Sequence, residues 1–272
     1  MKRILITNDD GAMAPGLSRL LKVLCPLARV TVVAPAHNQS AASSALTLDR
    51  ALCVSREGTD FYTVDGTPAD CVHVALTGLL AEKPDLIVAG INRGKNLGED
   101  IVYSGTLGAA RAGYLFGVPS LAVSLVSDTW DNPTHAPKLR GCRSLVSDTW
   151  DNLPTAAFVS ERLVFALLHV PALPVVLFNV NVPDVPIQEL RGIKETRPGL
   201  RDIPRRAAVQ PTVDGKLLIH LGPQGQPVDC RAGTDFEAIA SGYVSVSPLK
   251  MSPVNADIGI DFSVLMSRSK EK

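Results

Sequence analysis

Between residues 3 and 125 the chain repeats one pattern: a short apolar run, a polar turn, then a stretch with helical spacing. The runs Arg3–Thr7, Arg29–Val33, Leu86–Ala89 and Ser120–Ser124 show no alternation of apolar and polar residues. A strand that is apolar on both faces must be covered on both faces. The intervening stretches supply that cover. Leu17, Leu20, Leu21 and Leu24 have helical spacing, as do Val72, Leu76, Leu79 and Leu80 within Ala69–Leu80, and Gly105–Phe116 reads as a helix of small residues. Helices alternating with such strands define an α/β fold with a doubly wound, mostly parallel sheet of the Rossmann-like kind.

The texture changes after residue 175. Val175–Val182 reads as one more strand, followed by closely spaced Pro and Gly, a hairpin turn signal at Val213–Lys216, and a strand at Tyr243–Leu249. We therefore divide the chain into an α/β core over 1–184 and a β-rich extension with a hairpin over 185–272. Ser124–Asn132 and Ser144–Asn152 both read SLVSDTWDN, an offset of 20 residues. Two copies are too few for a solenoid. The 124–152 stretch reads as a duplicated loop insertion carrying both tryptophans, Trp130 and Trp150, and one copy should be dispensable.

Lys and Arg number 27, as do Asp and Glu, so the formal net charge is zero. That balance argues against a protein that coats duplex nucleic acid, while leaving room for a small anion at a local positive site. No apolar run reaches the ~18 residues that cross a bilayer. The opening MKRILITNDD is not patterned as a signal peptide. The five cysteines are scattered and form no C-x-x-C. Together these features predict a cytoplasmic protein that does not engage membranes.

In a doubly wound sheet ligands bind beyond the carboxyl ends of the strands. The first strand is followed by Asn8-Asp9-Asp10-Gly11, the second by Ala34-Pro35 and then Asn38-Gln39-Ser40, and the Leu86–Ala89 strand by Gly90-Ile91-Asn92-Arg93-Gly94-Lys95-Asn96. Ser104-Gly105-Thr106 opens the next helix. Adjacent carboxylates repel unless a proton or a cation intervenes. A hard divalent ion, Mg²⁺ or Mn²⁺, suits carboxylates supplemented by neutral oxygens such as those of Ser40 and Asn92. Neither histidine spacing nor a cysteine cluster points to zinc. A helix start such as Ser104–Thr106 binds anions through its free N–H groups. Each motif taken singly also has a purely structural reading as a turn, a Gly-rich connection or an N-cap. Their convergence on one sheet edge is what points to chemistry.

These residues resemble the SurE family, the stationary-phase survival protein nucleotidases. The matching pieces include Asn8-Asp9-Asp10-Gly11, Asn38 to Ser40, Gly66-Thr67-Pro68-Ala69-Asp70, Gly90-Ile91-Asn92-x-Gly94-x-Asn96-x-Gly98, Tyr103-Ser104-Gly105-Thr106, Asn179-x-Asn181-x-Pro183, Thr234-Asp235 and Gly242-Tyr243-Val244-Ser245. The resemblance implies a SurE-type fold and a metal-dependent 5′(3′)-nucleotidase that hydrolyses nucleoside monophosphates, with short-chain exopolyphosphatase activity in some members. It implies one divalent ion per subunit on Asp9, Asp10, Ser40 and Asn92. It assigns Asn96, Ser104, Gly105 and Thr106 to the phosphate. It further implies a homodimer or homotetramer that exchanges a hairpin, here Val209–Leu221, and the C-terminal segment. The family usually has Gly after the loop serine, where this chain has Ala41.

On this reading the cation acts as a Lewis acid, Asp9 or Asp10 orients the attacking water or takes its proton, and the Ser104–Thr106 helix start stabilises the phosphoryl oxygens. A receiver-type signalling domain would need a phospho-accepting Asp where this chain has Gly90-Ile91-Asn92, and a haloacid-dehalogenase-type phosphatase would need a D-x-D pair. A non-catalytic nucleotide-binding regulatory protein is the alternative from another functional class.

Overall fold

A computed structural model of the chain describes residues 1–126, 151–212, 214–222 and 224–250. The expectations for most of the duplicated segment, including Trp130 and Trp150, and for the C-terminal exchange segment beyond residue 250 lie outside the described residues.

The elements in chain order are β1 (Arg3–Thr7), α1 (Pro15–Leu24), β2 (Arg29–Pro35), β3 (Val54–Arg56), β4 (Phe61–Val64), α2 (Pro68–Val74), β5 (Leu86–Arg93), α3 (Gly105–Leu115), β6 (Ser120–Val126), α4 (Leu153–Leu168), β7 (Leu177–Pro183), β8 (Ile193–Glu195), β9 (Leu200–Arg201), β10 (Ala208–Pro211), β11 (Leu217–His220), β12 (Pro227–Asp229), α5 (Asp235–Ala240) and β13 (Val244–Leu249). Nine strands form one sheet in the order β3-β4-β2-β1-β5-β6-β7-β13-β8. From β4 through β7 every neighbouring pair is parallel. Read in chain order, those six strands follow the doubly wound arrangement, with the topological switch between β1 and β5.

The strands are apolar on both faces because each face meets its own helix pair. Ile4 and Ile6 of β1 face α1 and α4, packing with Leu17, Leu20, Leu153 and Val164. Leu5, between them, faces α2 and α3, packing with Val72 and Leu107. α1 starts with Pro15 in its first turn, where a missing N–H costs nothing. α2 starts with a capping box, Thr67 and Asp70 each satisfying the other's backbone N–H. α2 continues into a π-helical turn at Ala75–Leu79, which together cover the predicted Ala69–Leu80 helix. In α3 the small residues have a steric reason. A Cβ at Gly105 would meet Asp9, one at Gly108 would meet the Ser43 carbonyl, and one at Gly113 would meet Ile87.

The extension does not simply lie beside the core. β13 pairs antiparallel with β7, and β8 pairs parallel with β13, so the segment after residue 184 completes the far edge of the main sheet. The predicted hairpin forms as β10 and β11, an antiparallel pair outside the main sheet.

One irregularity bears on function. β5 pairs with β6 at Ala89↔Ala122 and again at Asn92↔Ser124. Three steps on β5 thus oppose two on β6, a bulge of one extra residue, which turns the next side chain to the other face. Gly90 sits in it at φ +137, with the Val123 carbonyl where a Cβ would go. Gly90→Ala should therefore cost at least about 2 kcal/mol from backbone strain and overpacking together, and should also displace Asn92. Chemical denaturation checks the first effect. A variant as stable as the parent would show that the bulge is not constrained in this way.

Candidate functional site

Asn92 lies near the end of β5, and every other expected site residue belongs to a connection leaving the carboxyl edge of the sheet or to the α3 start. β1 and β5 flank the switch point, so the loops that follow them diverge to opposite sides and leave a crevice. Asp9 lies two residues past the end of β1 and is buried. Its Oδ1 accepts a short hydrogen bond from the Thr106 hydroxyl. Its carbonyl accepts from the Gln39 N–H at 2.7 Å. Gly105 lies against its other oxygen, Oδ2, with no room for a Cβ. α3 is thus seated on Asp9. Asp10 is turned the other way, its Oδ2 accepting from the Arg93 N–H at 3.2 Å. That bond places Asn92, one residue earlier, beside the carboxylate pair.

Asn92 is buried and donates its Nδ2 to the Gly94 carbonyl at 3.1 Å and towards Ser124 Oγ at 3.4 Å. With the nitrogen so engaged, its carbonyl oxygen remains for another partner. Ser40 is exposed, in a loop tied at both ends. Gln39 anchors one end to Asp9. Ser43 anchors the other, its N–H donating to the Tyr103 carbonyl at 3.2 Å and its hydroxyl to the Val102 carbonyl at 2.7 Å. Ala41, in the place of the expected glycine, stands at φ +64. The chain thus keeps the left-handed turn that glycine would adopt freely and accepts some strain in it.

The phosphate-side residues separate into two roles. Ser104 caps α3, its Oγ accepting from the Leu107 N–H at 3.0 Å, and Thr106 is fully buried with its hydroxyl on Asp9. In this structure, therefore, the Thr106 hydroxyl orients a carboxylate. Asn96 is buried in a seam of neutral polar groups. Its Nδ2 donates to Ser124 Oγ at 2.8 Å, its N–H to Asn181 Oδ1 at 3.0 Å, and its carbonyl accepts from Asn179 and Asn181 at 2.8 and 3.0 Å. Ser124, Asn179 and Asn181 were not among the expected site residues. The signal for the pair was available: two asparagines at a spacing of two inside an otherwise apolar strand.

Electrostatics favour a cation. Burial pushes the Asp9 carboxyl above its usual range, partly opposed by the Thr106 hydrogen bond. Burial and then the neighbouring Asp9 push Asp10 up from 3.8 to about 7. Two adjacent acids that resist ionisation, one buried and one half-buried, suit a hard divalent ion, and the nearby neutral oxygens of Asn92 and Ser40 can complete its shell. Among the described residues no three His, Cys, Asp or Glu side chains converge on one point. A cation here would draw on two carboxylates and neutral donors, the oxygen set of Mg²⁺ or Mn²⁺ rather than of zinc.

The shift of Asp10 has a consequence for folding. The unfolded chain releases this proton near 3.8 and the folded chain near 7, so between those values the native state binds more protons. Stability of the metal-free protein should therefore fall as pH rises from about 4 to 7 on account of this group. Asp10→Asn should remove that slope. Thermal unfolding across this range checks both, and an equal slope in the variant would contradict the assignment.

Comparison with known proteins places this geometry. Residues 4–205 match the family described as Survival protein SurE. The 5′-nucleotidase SurE of Nitrosomonas eutropha is 44% identical over 259 residues, covering 94% of this chain and 95% of that protein. The crystal structure of the SurE protein from Aquifex aeolicus superposes with a TM-score of 0.75 at 37% identity, covering 93% of this chain and 95% of that one. With its crevice, its doubly wound sheet and a match of this extent, the chain belongs to the SurE family.

Proposed function

We propose that this protein is a phosphoric monoester hydrolase, a metal-dependent 5′(3′)-nucleotidase that converts nucleoside monophosphates to nucleoside and phosphate, with short polyphosphate as a second substrate. The observation that carries the reading is the adjacent Asp9–Asp10 pair at the switch point, Asp9 buried and Asp10 half-buried, with the α3 N-terminus packed directly against Asp9. The name of the Nitrosomonas relative supports the nucleotide substrate.

Asp9, Asp10, Asn92 and Ser40 would hold one Mg²⁺ or Mn²⁺. Such an ion supplies Lewis acidity to the phosphoryl group. The chain's own residues do the remainder. Thr106 fixes the rotamer of Asp9. The Arg93 N–H fixes Asp10 through Oδ2, leaving Oδ1 as the oxygen that can orient water or take its proton. The backbone N–H groups opening α3 at Gly105 and Thr106 face an anion with the positive end of the helix. Asn96 and the Ser104 hydroxyl proton are the further donors on that side.

Asp9→Asn and Asp10→Asn should each lower phosphate release from a nucleoside monophosphate by at least about 100-fold, with folding retained. Thr106→Val keeps both carboxylates but frees Asp9, and should give a smaller loss. A phosphate-release assay with and without Mn²⁺ decides: full activity in either Asn variant excludes the proposed site, and wild-type activity without any divalent ion excludes the cation.

The protein acts as a homodimer or homotetramer on this reading. β10 and β11 expose residues on both faces, with Val209 54%, Leu217 61%, Leu218 50% and Ile219 58% exposed. An isolated two-stranded hairpin is marginal in water, so such a pair needs a covering surface. Sedimentation at micromolar concentration should give at least a dimer, and Leu217→Asp with Ile219→Asp should weaken it. A monomeric wild type would remove this part of the proposal. Among the described residues no helix is long and apolar enough to cross a membrane, and Cys25, Cys53, Cys71 and Cys230 are free thiols, which supports a reducing, cytoplasmic setting.

A further inference from the structure

The segment from Asn96 to Thr106 carries every phosphate-side residue. It leaves β5, passes through one 3₁₀ turn at Gly98–Val102, and enters α3. The sheet holds it at the Asn96 seam, and Ser43 of the Ser40 loop holds the Val102 and Tyr103 carbonyls. Its middle is held by the extension. Asp235, fully buried at the start of α5, accepts three backbone N–H groups: Gly98 on Oδ2, and Gly199 and Phe236 on Oδ1, each at 2.8 Å. Gly98 and Gly199 both press on the Phe236 ring, leaving no space for a Cβ at either. Arg201 adds a second fastening. Its guanidinium bonds Asp100 Oδ2 at 2.6 Å, lies 4.9 Å over the Phe236 ring, and its N–H donates to Glu99 Oε2 at 2.7 Å.

We propose that Asp235 is a positioning residue for the reaction, holding the Asn96–Thr106 segment in its phosphate-binding shape from the extension side. The inference rests on the phosphate-side role proposed above for Asn96 and Ser104–Thr106. Three features favour it over a purely structural carboxylate. A buried carboxylate is costly unless its lone pairs are used, and here they are spent on backbone N–H groups of two separate segments. One of those, Gly98, is two residues from Asn96. The other, Gly199, precedes the strand from which Arg201 grips the same turn. The fastening thus ties the phosphate-side segment to the part of the chain that leads into the β10–β11 hairpin. A shift of that part on assembly would reach the phosphate through Gly98, not through the carboxylates that follow β1.

Asp235→Asn tests this directly. The amide keeps one acceptor and replaces the other oxygen with a donor. Its oxygen is best kept by the two donors of Gly199 and Phe236, so the nitrogen confronts the Gly98 N–H. Gly98 should exchange its amide hydrogen at least about tenfold faster, while Gly199 and Phe236 stay protected. Inorganic phosphate, measured by titration calorimetry, should bind about tenfold more weakly, the equivalent of one such hydrogen bond. KM for a nucleoside monophosphate should rise with it. Mn²⁺ affinity should change far less, because Thr106, which bonds Asp9, lies at the opposite end of the segment from Gly98. Glu99→Ala, at an exposed position, loosens the same turn from the Arg201 side and should give the same split at smaller size, and it carries the test if Asp235→Asn does not fold. Unchanged phosphate affinity in a folded variant, or phosphate and Mn²⁺ affinities falling together, would overturn the proposal. If the wild type releases no phosphate from nucleotides but the exchange and phosphate-binding effects appear, the positioning role stands and the nucleotidase reading falls.

Discussion

Two acidic side chains placed side by side at the end of a buried strand are the constraint around which the rest of the structure is arranged. In water such a pair costs little. Under an α/β sheet edge, burial raises both carboxyl groups, and the neighbouring Asp9 raises Asp10 further, to about 7. The fold must either keep a proton there or accommodate a cation. The hydrogen bonds to Asp9 and Asp10 from Thr106 and the Arg93 N–H fix where the two carboxylates point without neutralising them. The charge is left for a ligand to resolve.

This constraint propagates outward through sterics. α3 can approach Asp9 only because position 105 has no side chain, and the loop carrying Ser40 can reach α3 only because position 108 has none. The bulge at Gly90 then re-aims Asn92 toward the pair after a strand whose earlier residues are committed to the two helix layers. Geometry at the site is thus set by main-chain packing of β1, β5 and α3 rather than by long flexible side chains.

Much of this was legible in the sequence, for physical reasons. Strands β1, β2, β5 and β6 are apolar on both faces, and that single property predicts helices on both sides and a parallel order. The carboxylates, Asn92 and the α3 start follow from looking at what each such strand leads into. Other elements left weaker signals. β3 and β4 are three and four residues long with largely exposed or half-buried side chains, so no period announces them. α4 follows directly on the duplicated segment and is rich in apolar residues around much of its circumference, which blurs its helical period. The joining of β8 and β13 to the main sheet is a matter of long-range pairing that local pattern does not encode. The Thr106 bond to Asp9 was also hidden: a hydroxyl in the first turn of a helix reads equally well as an anion donor or as a partner for a carboxylate, and only the packing of α3 decides.

The choice of side chains behind the site follows from the same electrostatics. Asn96 could have been held by a charged partner, but a lysine or arginine in the seam would compete with a cation at Asp9 and Asp10, and a further carboxylate would add to the repulsion already there. Asparagine and serine avoid both. Asn179, Asn181 and Ser124 satisfy the backbone and side chain of Asn96 with dipoles alone. An amide supplies both a donor and an acceptor, so Asn181 can grip the N–H and the carbonyl of the same residue. A charged positioning group becomes tolerable only further along the segment. Asp235 meets it at Gly98, beyond Asn96, and spends its oxygens on backbone N–H groups, which neither bind a metal nor titrate. The progression from acidic pair, through neutral seam, to acidic clamp keeps further titratable groups out of contact with Asp9 and Asp10 while the segment is held from both ends.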